Sequence, residues 1–576
     1  MDDYDFIPKY DVSPSQKTAE STVSRGNINY LNWLWENILT YDKVFKGKHD
    51  LKVMAGYTLE STRNESFSAS KNGVPGSSSN LQYIDAAQNA NSAIANGIAW
   101  ESSMLSFLGR INYGYDDRYL ATASFRVDGS SKFGKDNRFA TFPSFSLAWK
   151  LSNEKFFKNL NAHWIDMIKI RGGWGQIGNQ NIGNYLYQNI LTSARQYQYL
   201  YGNPEEVYQG VTAISVANPN IKWETTESTN IGLDITLFKS LTLTADYYSK
   251  TTKDMLLTEP IPAHLGFESG PVTNVGSVRN RGFEFSAQWQ GKLAKDLFMT
   301  VGGNIATVNN KVLSLGTGDA LVGGSVYSRG NATKTQVGSA IGEFWGYKTG
   351  GLVQTEEQLA EVKKIQPNAG LGDFVFLDLD SFAADGKTLT GKSDGKLDEA
   401  DKTFIGSPIP DFTYGLNISL TYKNFDFAAF FEGVYGNEIF NANRAYTYST
   451  GTTFQKNRAV LNAWTPENRN TNIPRINGDD NNDNMRISDF YVEDGSYFRL
   501  KNIQLGYTFP KQLIQKIKIQ NLRIYISGQN LFTITDYSGA DPEIGQLSST
   551  DYLSRGFDYG TYPQSRTITG GLSLTF

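Results

Sequence analysis

Apolar and polar residues alternate over many segments of this chain, most clearly in residues 104–115 and 118–128. Successive side chains of a β-strand point to opposite faces, so the alternation predicts strands with one apolar and one polar face. A two-residue turn joins the two segments into a predicted hairpin. Arg126 falls on the same predicted face as Arg110, and we expect this polar face to line a wet interior.

The same alternation predicts seven hairpins and a terminal strand. The predicted strands are 29–45 with 49–60, 104–115 with 118–128, 142–151 with 165–175, 225–237 with 241–250, 278–290 with 297–309, 412–422 with 425–435, 497–509 with 521–533, and 565–576. Each has about ten residues or more, the length with which a tilted strand crosses a bilayer.

Connection lengths alternate as well. Turns within the pairs are short, whereas the connections between pairs are long, and the longest runs from 311 to 411. Short turns on one side and long loops on the other are typical of outer-membrane barrels. A β-sandwich or a propeller, the alternatives, would not have this one-sided pattern. The predicted fold is therefore an all-β transmembrane antiparallel β-barrel with long extracellular loops.

The last predicted strand, 565–576, ends the chain on an aromatic residue. Such a strand is suited to close an outer-membrane barrel. About fifteen antiparallel strands cannot close on themselves, because the first and last would pair in parallel. We therefore expect residues 1–576 to be the carboxy-terminal part of a larger barrel, with 311–411 as its large extracellular loop region. The acidic start has no apolar segment of a secretory signal.

Composition narrows the function classes. The chain has 54 basic and 58 acidic residues, a net charge of −4, which argues against a nucleic-acid binder. It has no cysteine and three histidines, which excludes thiol chemistry and histidine-rich metal sites. Aromatic residues make up 13% although the mean hydropathy is −0.40, as expected of a barrel with an aromatic lipid face and polar loops. No apolar run is long enough for a membrane-spanning helix.

Several spaced segments resemble one family, the SusC/RagA-type TonB-dependent outer-membrane transporters. They are residues 274–285 (NVGSVRNRGFEF), 342–347 (GEFWGY), 404–441, 506–510 (GYTFP) and 527–533 (SGQNLFT). The resemblance covers at least residues 100–576. It implies a 22-stranded barrel around an amino-terminal plug, of which this sequence lacks the plug and first strands. It also implies import of oligosaccharides or peptides, powered by TonB, with a SusD-like surface lipoprotein as lid.

An acidic segment between residues 372 and 401 is a candidate calcium loop with a structural role. Oxygen ligands at alternate positions, a glycine and a later carboxylate suit a seven-coordinate hard cation. Here about 13 residues separate two arms of the pattern, and the alternative is a solvated acidic turn. The predicted ligands, with Lys396 acting through its carbonyl, are Asp378, Asp380, Asp394, Lys396, Asp398 and Asp401.

Three further loop segments have predicted roles. The loop 176–219 is rich in amides and tyrosines, which suit stacking and hydrogen bonding to a sugar or peptide, or packing on neighbouring loops. Its candidate ligand-binding residues are Tyr197, Tyr199, Tyr201 and Tyr208. Residues 355–365 predict a short helix that packs the large loop onto itself, or alternatively contacts a lid partner. The acidic run 479–483 is expected to be solvated.

The sequence has no convincing nucleophile–base pattern, so we expect no enzymatic activity. The main functional expectation is an outer-membrane nutrient importer. The first alternative is a passive or adhesive outer-membrane barrel that binds a surface ligand without energised transport. The second is a soluble surface glycan-binding β-protein.

Overall fold

The computed structural model describes residues 2–13, 16–193, 198–202, 204–259, 261–267, 269–316, 320–326, 329–385, 388–448, 455–546 and 551–576. The chain divides into two compact units. The first consists of Met1–Leu147, Trp174–Thr226 and Asp254–Asn274, and the second of Ala148–Gly173, Glu227–Lys253 and Val275–Phe576.

All fifteen predicted long strands are present. In chain order they are β1 Thr22–Phe45, β2 His49–Asn72, β3 Asn89–Tyr115, β4 Tyr119–Ser130, β5 Phe139–Lys150, β6 Ile165–Asn179, β7 Glu224–Leu237, β8 Leu241–Thr258, β9 Val272–Ala294, β10 Leu297–Thr307, β11 Phe412–Tyr422, β12 Phe425–Tyr435, β13 Tyr497–Thr508, β14 Asn521–Gln529 and β15 Thr567–Thr575.

In the first unit, β1 pairs antiparallel with β2 along their whole length, and β2 and β3 pair from His49↔Tyr115 to Asn72↔Asn89. β3 then pairs with β4, which places Leu108 opposite Arg126 and Arg110 opposite Ser124. Arg110 and Arg126 therefore share a face, as predicted. The opposite face carries exposed apolar rings, with Phe107 at 47% and Phe125 at 53% exposure.

In the second unit, β9 to β15 pair antiparallel, each with the next along the chain. β15 pairs with β14 over nine residues, from Asn521↔Thr575 to Gln529↔Thr567. Its residues are exposed except for the half-buried Gly571. The apolar side chains of this strand are exposed, for example Ile568 at 74% and Leu572 at 61%.

The short turns have the backbone that tight hairpins require. Asp116 and Asp117 both have positive φ, of 53° and 49°, and so do Phe238 and Lys239, with 51° and 56°. Two consecutive left-handed residues define the type I′ turn, whose twist matches that of the flanking strands. These turns confirm the predicted hairpin positions.

Several strands are longer than predicted: β1 begins at Thr22 rather than 29, and β8 ends at Thr258 rather than 250. β2 extends to Asn72 rather than residue 60, and β3 starts at Asn89 rather than 104. The alternation of apolar and polar residues is clear only in 49–60 and 104–115. Residues 61–72 are mostly polar and show no regular alternation, but their backbone pairs with β3, so the ladder of hydrogen bonds continues the strand.

The connection 311–411 was expected to be loop, but it has its own strands and helix. The additional strands of the second unit are Asn309–Leu315, Ala320–Val326, Gly330–Gln336, Glu343–Gly346, Thr349–Leu352, Phe374–Phe376, Thr403–Gly406, Glu438–Phe440, Val492–Asp494 and Thr533–Thr535. Its α-helices are Lys155–Lys158, Glu356–Val362, Ala442–Thr447 and Lys511–Ile514.

Short strands also occur in the first unit, which adds Asp2–Ile7, Tyr10–Ser13, Gln16–Thr18, Leu191–Thr192, Gln198–Tyr201, Glu206–Gln209 and Thr212–Ala213. Asp2–Ile7 pairs antiparallel with the start of β1. Within the described ranges, no helix has both the length and the apolar character needed to cross a membrane.

Candidate functional site: a loop pocket and two neighbouring sequence motifs

The long connections of the second unit pack around a hydrophobic core of their own. Phe440 stacks on Phe557 with ring centroids 4.7 Å apart, and Phe344 meets both rings edge-on. Each of the three side chains is at most 4% exposed. Tyr491 is buried beside them, and this burial raises the pKa of its hydroxyl well above the usual range. These loops therefore form a packed layer rather than separate solvated excursions.

The predicted helix 355–365 forms at Glu356–Val362 within this layer. Thr355 caps it by accepting a hydrogen bond from the Gln358 amide at 3.2 Å. Leu359 and Val362 are buried against Val353. The helix thus packs the loop onto itself, which is the first of the two predicted roles.

A buried polar network locks two distant parts of the loop layer together. Both carboxylate oxygens of Asp373 accept hydrogen bonds from Arg475, at 2.6 and 2.9 Å. Asn484 donates to Asp373 at 2.9 Å and Asn482 donates to Asn484 at the same distance. Asp373 is fully buried, and its hydrogen bonds raise the pKa of the Arg475 guanidinium. The expectation that 479–483 is solvated is wrong for Asn482, which is 3% exposed.

The layer borders an open pocket of about 1330 Å³. Its size exceeds the roughly 300–1000 Å³ of most small-molecule sites. The wall is mainly polar, with amide, hydroxyl and charged side chains beside a few aromatic rings. Its polar and aromatic lining residues include Thr349, Gln354, Gln358, Arg444, Tyr448, Asn462, Arg469, Asn470, Asn472, Asp489, Phe490, Glu493, Asp494 and Asp536.

Arg444 is fixed in one wall of the pocket. Its guanidinium lies over the Phe490 ring at 4.2 Å and over the Tyr448 ring at 4.9 Å. Nη1 donates to the Phe490 carbonyl at 3.0 Å and to Glu493 at 3.2 Å. Both Arg444 and Glu493 are 13% exposed. Because the pair is compensated and largely buried, it shapes the wall more than it offers free charge.

The facing segments are fixed by hydrogen bonds between loops. Asp489 accepts from the amide and the hydroxyl of Thr349, at 3.1 and 2.8 Å. The indole of Trp464 donates to the side chain of Gln354 at 2.9 Å. These contacts join strand Thr349–Leu352 and Gln354, two residues after it, to segments more than a hundred residues away. The pocket is consequently preformed.

The predicted calcium loop brings its two arms together, but through backbone amides. Asp378 accepts from the Gly395 amide at 2.7 Å, and Asp380 accepts from the Gly391 amide at 2.6 Å. The Ser381 amide, at 2.8 Å, contributes most to lowering the pKa of Asp380.

The later carboxylates of this loop also accept backbone donors. Asp401, fully buried, accepts from the amides of Leu379 and Asp398, at 2.7 and 2.8 Å. Asp398 caps a short turn at the Ala400 amide, and Asp394 accepts from the amide of Lys396 at 3.0 Å. In the part of the chain that the structure describes, no three acidic or histidine side chains converge as metal ligands would. Calcium binding stays a prediction.

Three of the four candidate tyrosines lie together on an exposed hairpin of the first unit. Strand Gln198–Tyr201 pairs with Glu206–Gln209, which places Tyr199 opposite Tyr208. Their ring centroids are 6.1 Å apart, and Tyr201 meets Tyr208 edge-on at 6.0 Å. Exposures of 54%, 68% and 42% for Tyr199, Tyr201 and Tyr208 leave the rings accessible. Tyr197 lies outside the described residues.

Antiparallel strands with exposed apolar faces, polar opposite faces, tight turns and long packed loops define an outer-membrane β-barrel class of protein. The model of the family "TonB dependent receptor-like, beta-barrel" matches residues 3–531. The chain therefore belongs to this outer-membrane family, and within it to the SusC/RagA type.

Individual relatives support the same assignment. The chain is 36% identical to TonB-dependent receptor P3 of Formosa agariphila over 95% of its length, covering 52% of that protein. It is 30% identical to TonB-dependent receptor SusC of Bacteroides thetaiotaomicron, over 98% of its length and 53% of that protein. The structure of the RagAB peptide transporter matches with a TM-score of 0.79 and 26% identity, over 98% of this chain and 57% of that one. The chain spans about half the length of the curated relatives it matches.

Proposed function

We propose that this chain is the barrel part of a TonB-dependent importer that carries oligosaccharides or peptides across the outer membrane. The importer works with a SusD-like surface lipoprotein and draws its energy from TonB, and its cycle includes no catalytic step. The observation that carries the proposal is the preformed loop pocket of about 1330 Å³ in a chain of the SusC/RagA type. A pocket of this size suits an oligomer better than a single small nutrient.

Two further residue sets belong to this proposal. The exposed ring face of Tyr199, Tyr201 and Tyr208 offers a stacking surface to an incoming ligand, because aromatic faces pack on flat apolar groups. The acidic loop around Asp378 and Asp401 holds a calcium ion in a structural role. Its oxygens have lone pairs beyond those that the amides use.

Uptake measurements test the proposal. Cells that carry the receptor are compared with cells that lack it, in media where defined oligosaccharides or peptides are the limiting nutrient. We expect receptor-dependent accumulation that disappears when TonB is deleted or the proton gradient is collapsed. Surface binding that persists without TonB, and without accumulation, would instead assign a passive or adhesive barrel.

A further inference from the structure

Arg469 carries a positive charge on the wall of the loop pocket without an acidic partner. Its side chain is exposed. Nε donates to the Pro466 carbonyl at 3.1 Å and Nη1 to the Gln354 carbonyl at 3.3 Å. Neither carbonyl has a net charge, and among the residues with described positions Arg469 forms no ion pair. The guanidinium is thus held in place while its charge stays available.

Two carboxylates on other segments of the same wall are also uncompensated. Asp494 ends strand Val492–Asp494, is exposed, and accepts from the Ser496 amide at 2.8 Å. Asp536 directly follows strand Thr533–Thr535 and is exposed as well. Across the described ranges, neither carboxylate has a basic partner. The pocket therefore presents both signs of charge from different segments.

The total charge of the wall is negative. Its basic residues are Arg444 and Arg469, and its acidic residues are Asp489, Glu493, Asp494 and Asp536. Two minus four gives −2, and the compensated pair of Arg444 and Glu493 leaves this balance unchanged. A ligand with both a cation and an anion can form charge-assisted hydrogen bonds between two ions with these groups, whereas a neutral ligand can form only the weaker hydrogen bonds of an ion to a neutral group.

We propose that the loop pocket binds oligopeptides as dipolar ions. A ligand carboxylate pairs with Arg469, since a guanidinium fork matches a carboxylate in shape and charge. A ligand ammonium lies at Asp494 and Asp536. The amide side chains of Asn462, Asn470 and Asn472 line the same pocket and can both donate to and accept from a peptide backbone. This inference rests on the proposed function, because it names the substrate class of the same site.

End-blocked peptides test the charge assignment on the intact receptor that carries this chain, purified in detergent. The probes are four randomised octapeptide pools with free ends, an acetylated amino end, an amidated carboxyl end, or both. We expect the free pool to be retained about tenfold more than the doubly blocked pool, because blocking both ends removes both ionic contacts; tenfold corresponds to about 1.4 kcal/mol. Each single block should give an intermediate value.

Variants then assign each end to its residue. In Arg469→Gln, amidation of the peptide should no longer lower retention, whereas acetylation still should. In the double variant Asp494→Asn and Asp536→Asn, the pattern should be reversed. The control Lys364→Gln changes an exposed residue of an i,i+3 ion pair outside the pocket, and should behave as the unchanged receptor. Heat-modifiable migration on gels verifies that every variant is folded.

Equal retention of all four pools would overturn the inference, and so would binding of neutral maltohexaose without binding of any peptide pool. Neither result would refute the proposed TonB-dependent import. TonB-dependent uptake of an oligosaccharide that is unaffected by the pocket variants would refute the dipolar peptide site while upholding transport. If cells with the unchanged receptor show no TonB-dependent uptake of any oligosaccharide or peptide, the proposed function itself is refuted.

Discussion

Arg499 donates from Nη2 to Oδ1 of Asp541 at 2.6 Å, and the two side chains are only 2% and 7% exposed. Nη1 of the same guanidinium donates to Glu543 at 2.7 Å, which also accepts from Lys501 at 2.7 Å. Arg499 and Lys501 belong to β13, whereas the two acids belong to the connection between β14 and β15. This network ties a long loop to the strand wall of the second unit.

Arg499→Ala should destabilise the receptor by about 3–5 kcal/mol, because it leaves the buried carboxylate of Asp541 without its ionic partner. The measurement is the denaturant midpoint of unfolding in detergent or lipid. The matched control is Lys364→Ala, whose pair with Glu361 is 66% and 71% exposed and should contribute less than about 1 kcal/mol. Equal midpoints for the two variants would contradict the assigned role of Arg499.

Periodicity was sufficient to predict the strands, because a strand between lipid and water must alternate at every second residue. β11 and β12 have exactly the predicted bounds of 412–422 and 425–435. Turns such as Asp116-Asp117 were predictable for a related reason, since they interrupt two matched alternating segments. The ends of the strands outside the bilayer could not be predicted, because no lipid face requires apolar residues there.

The packing of the loop layer could not be predicted from the sequence, and the physical reason is a different one. Asp373 and Arg475 are 102 residues apart, and no local pattern relates them. The helix at Thr355 was predictable since its cap and apolar spacing are local. The pocket, in contrast, depends on contacts between segments that only the fold brings together.

Asp373→Ala should loosen the loop layer while leaving the strands intact. It removes the acceptor of Arg475 and Asn484. The Asn484 amide is then buried without this partner, at a cost of about 1–3 kcal/mol, and the one-third-exposed Arg475 loses its ion pair. Limited proteolysis should cut the loops faster than in the unchanged protein, with heat-modifiable migration preserved. Asp479→Ala, an exposed acid nearby, serves as control and should not change the cleavage rate.

Glu438 should make the loop layer sensitive to pH. Burial raises the pKa of its carboxyl above the ordinary 4.5, opposed by the Ser407 amide, which donates at 2.7 Å. Since the folded state then holds the proton more tightly than the unfolded state, its contribution to stability is present below about pH 4.5. It is lost as the pH rises through the folded pKa.

Hydrogen exchange of strand Glu438–Phe440 measures this dependence, after correction for intrinsic exchange rates. Protection should fall as the pH rises from about 4.5, and Glu438→Gln should remove this slope because the amide does not titrate. Glu361→Gln is the control, since Glu361 is 71% exposed. An unchanged slope in Glu438→Gln would assign the pH dependence to another group.

In the acidic loop, backbone amides already donate to the carboxylates that would bind calcium. A calcium ion would therefore have to compete with these hydrogen bonds. We expect weak binding, with a dissociation constant on the order of 10⁻⁴–10⁻³ M as in extracellular modules, measured by titration calorimetry. Asp378→Asn should weaken it further, whereas Glu361→Gln should not. Heat signals that are absent, or identical in Asp378→Asn, would leave the loop as an acidic turn without an ion.

The two faces of the tyrosine hairpin provide an internal control for ligand contact. Tyr199 and Tyr208 lie opposite each other on one face, and Leu200 and Val207 pair on the other, where they are 61% and 62% exposed. If the ring face contacts ligand, Tyr199→Ala and Tyr208→Ala should each lower affinity about two- to tenfold, the range of one aromatic contact. Leu200→Ala removes a similarly exposed side chain from the same strand and should leave affinity unchanged.

The measurement is retention of the free-ended octapeptide pool and of maltohexaose by each purified variant. Equal losses in the tyrosine and leucine variants would indicate that hairpin folding, rather than ring contact, controls binding.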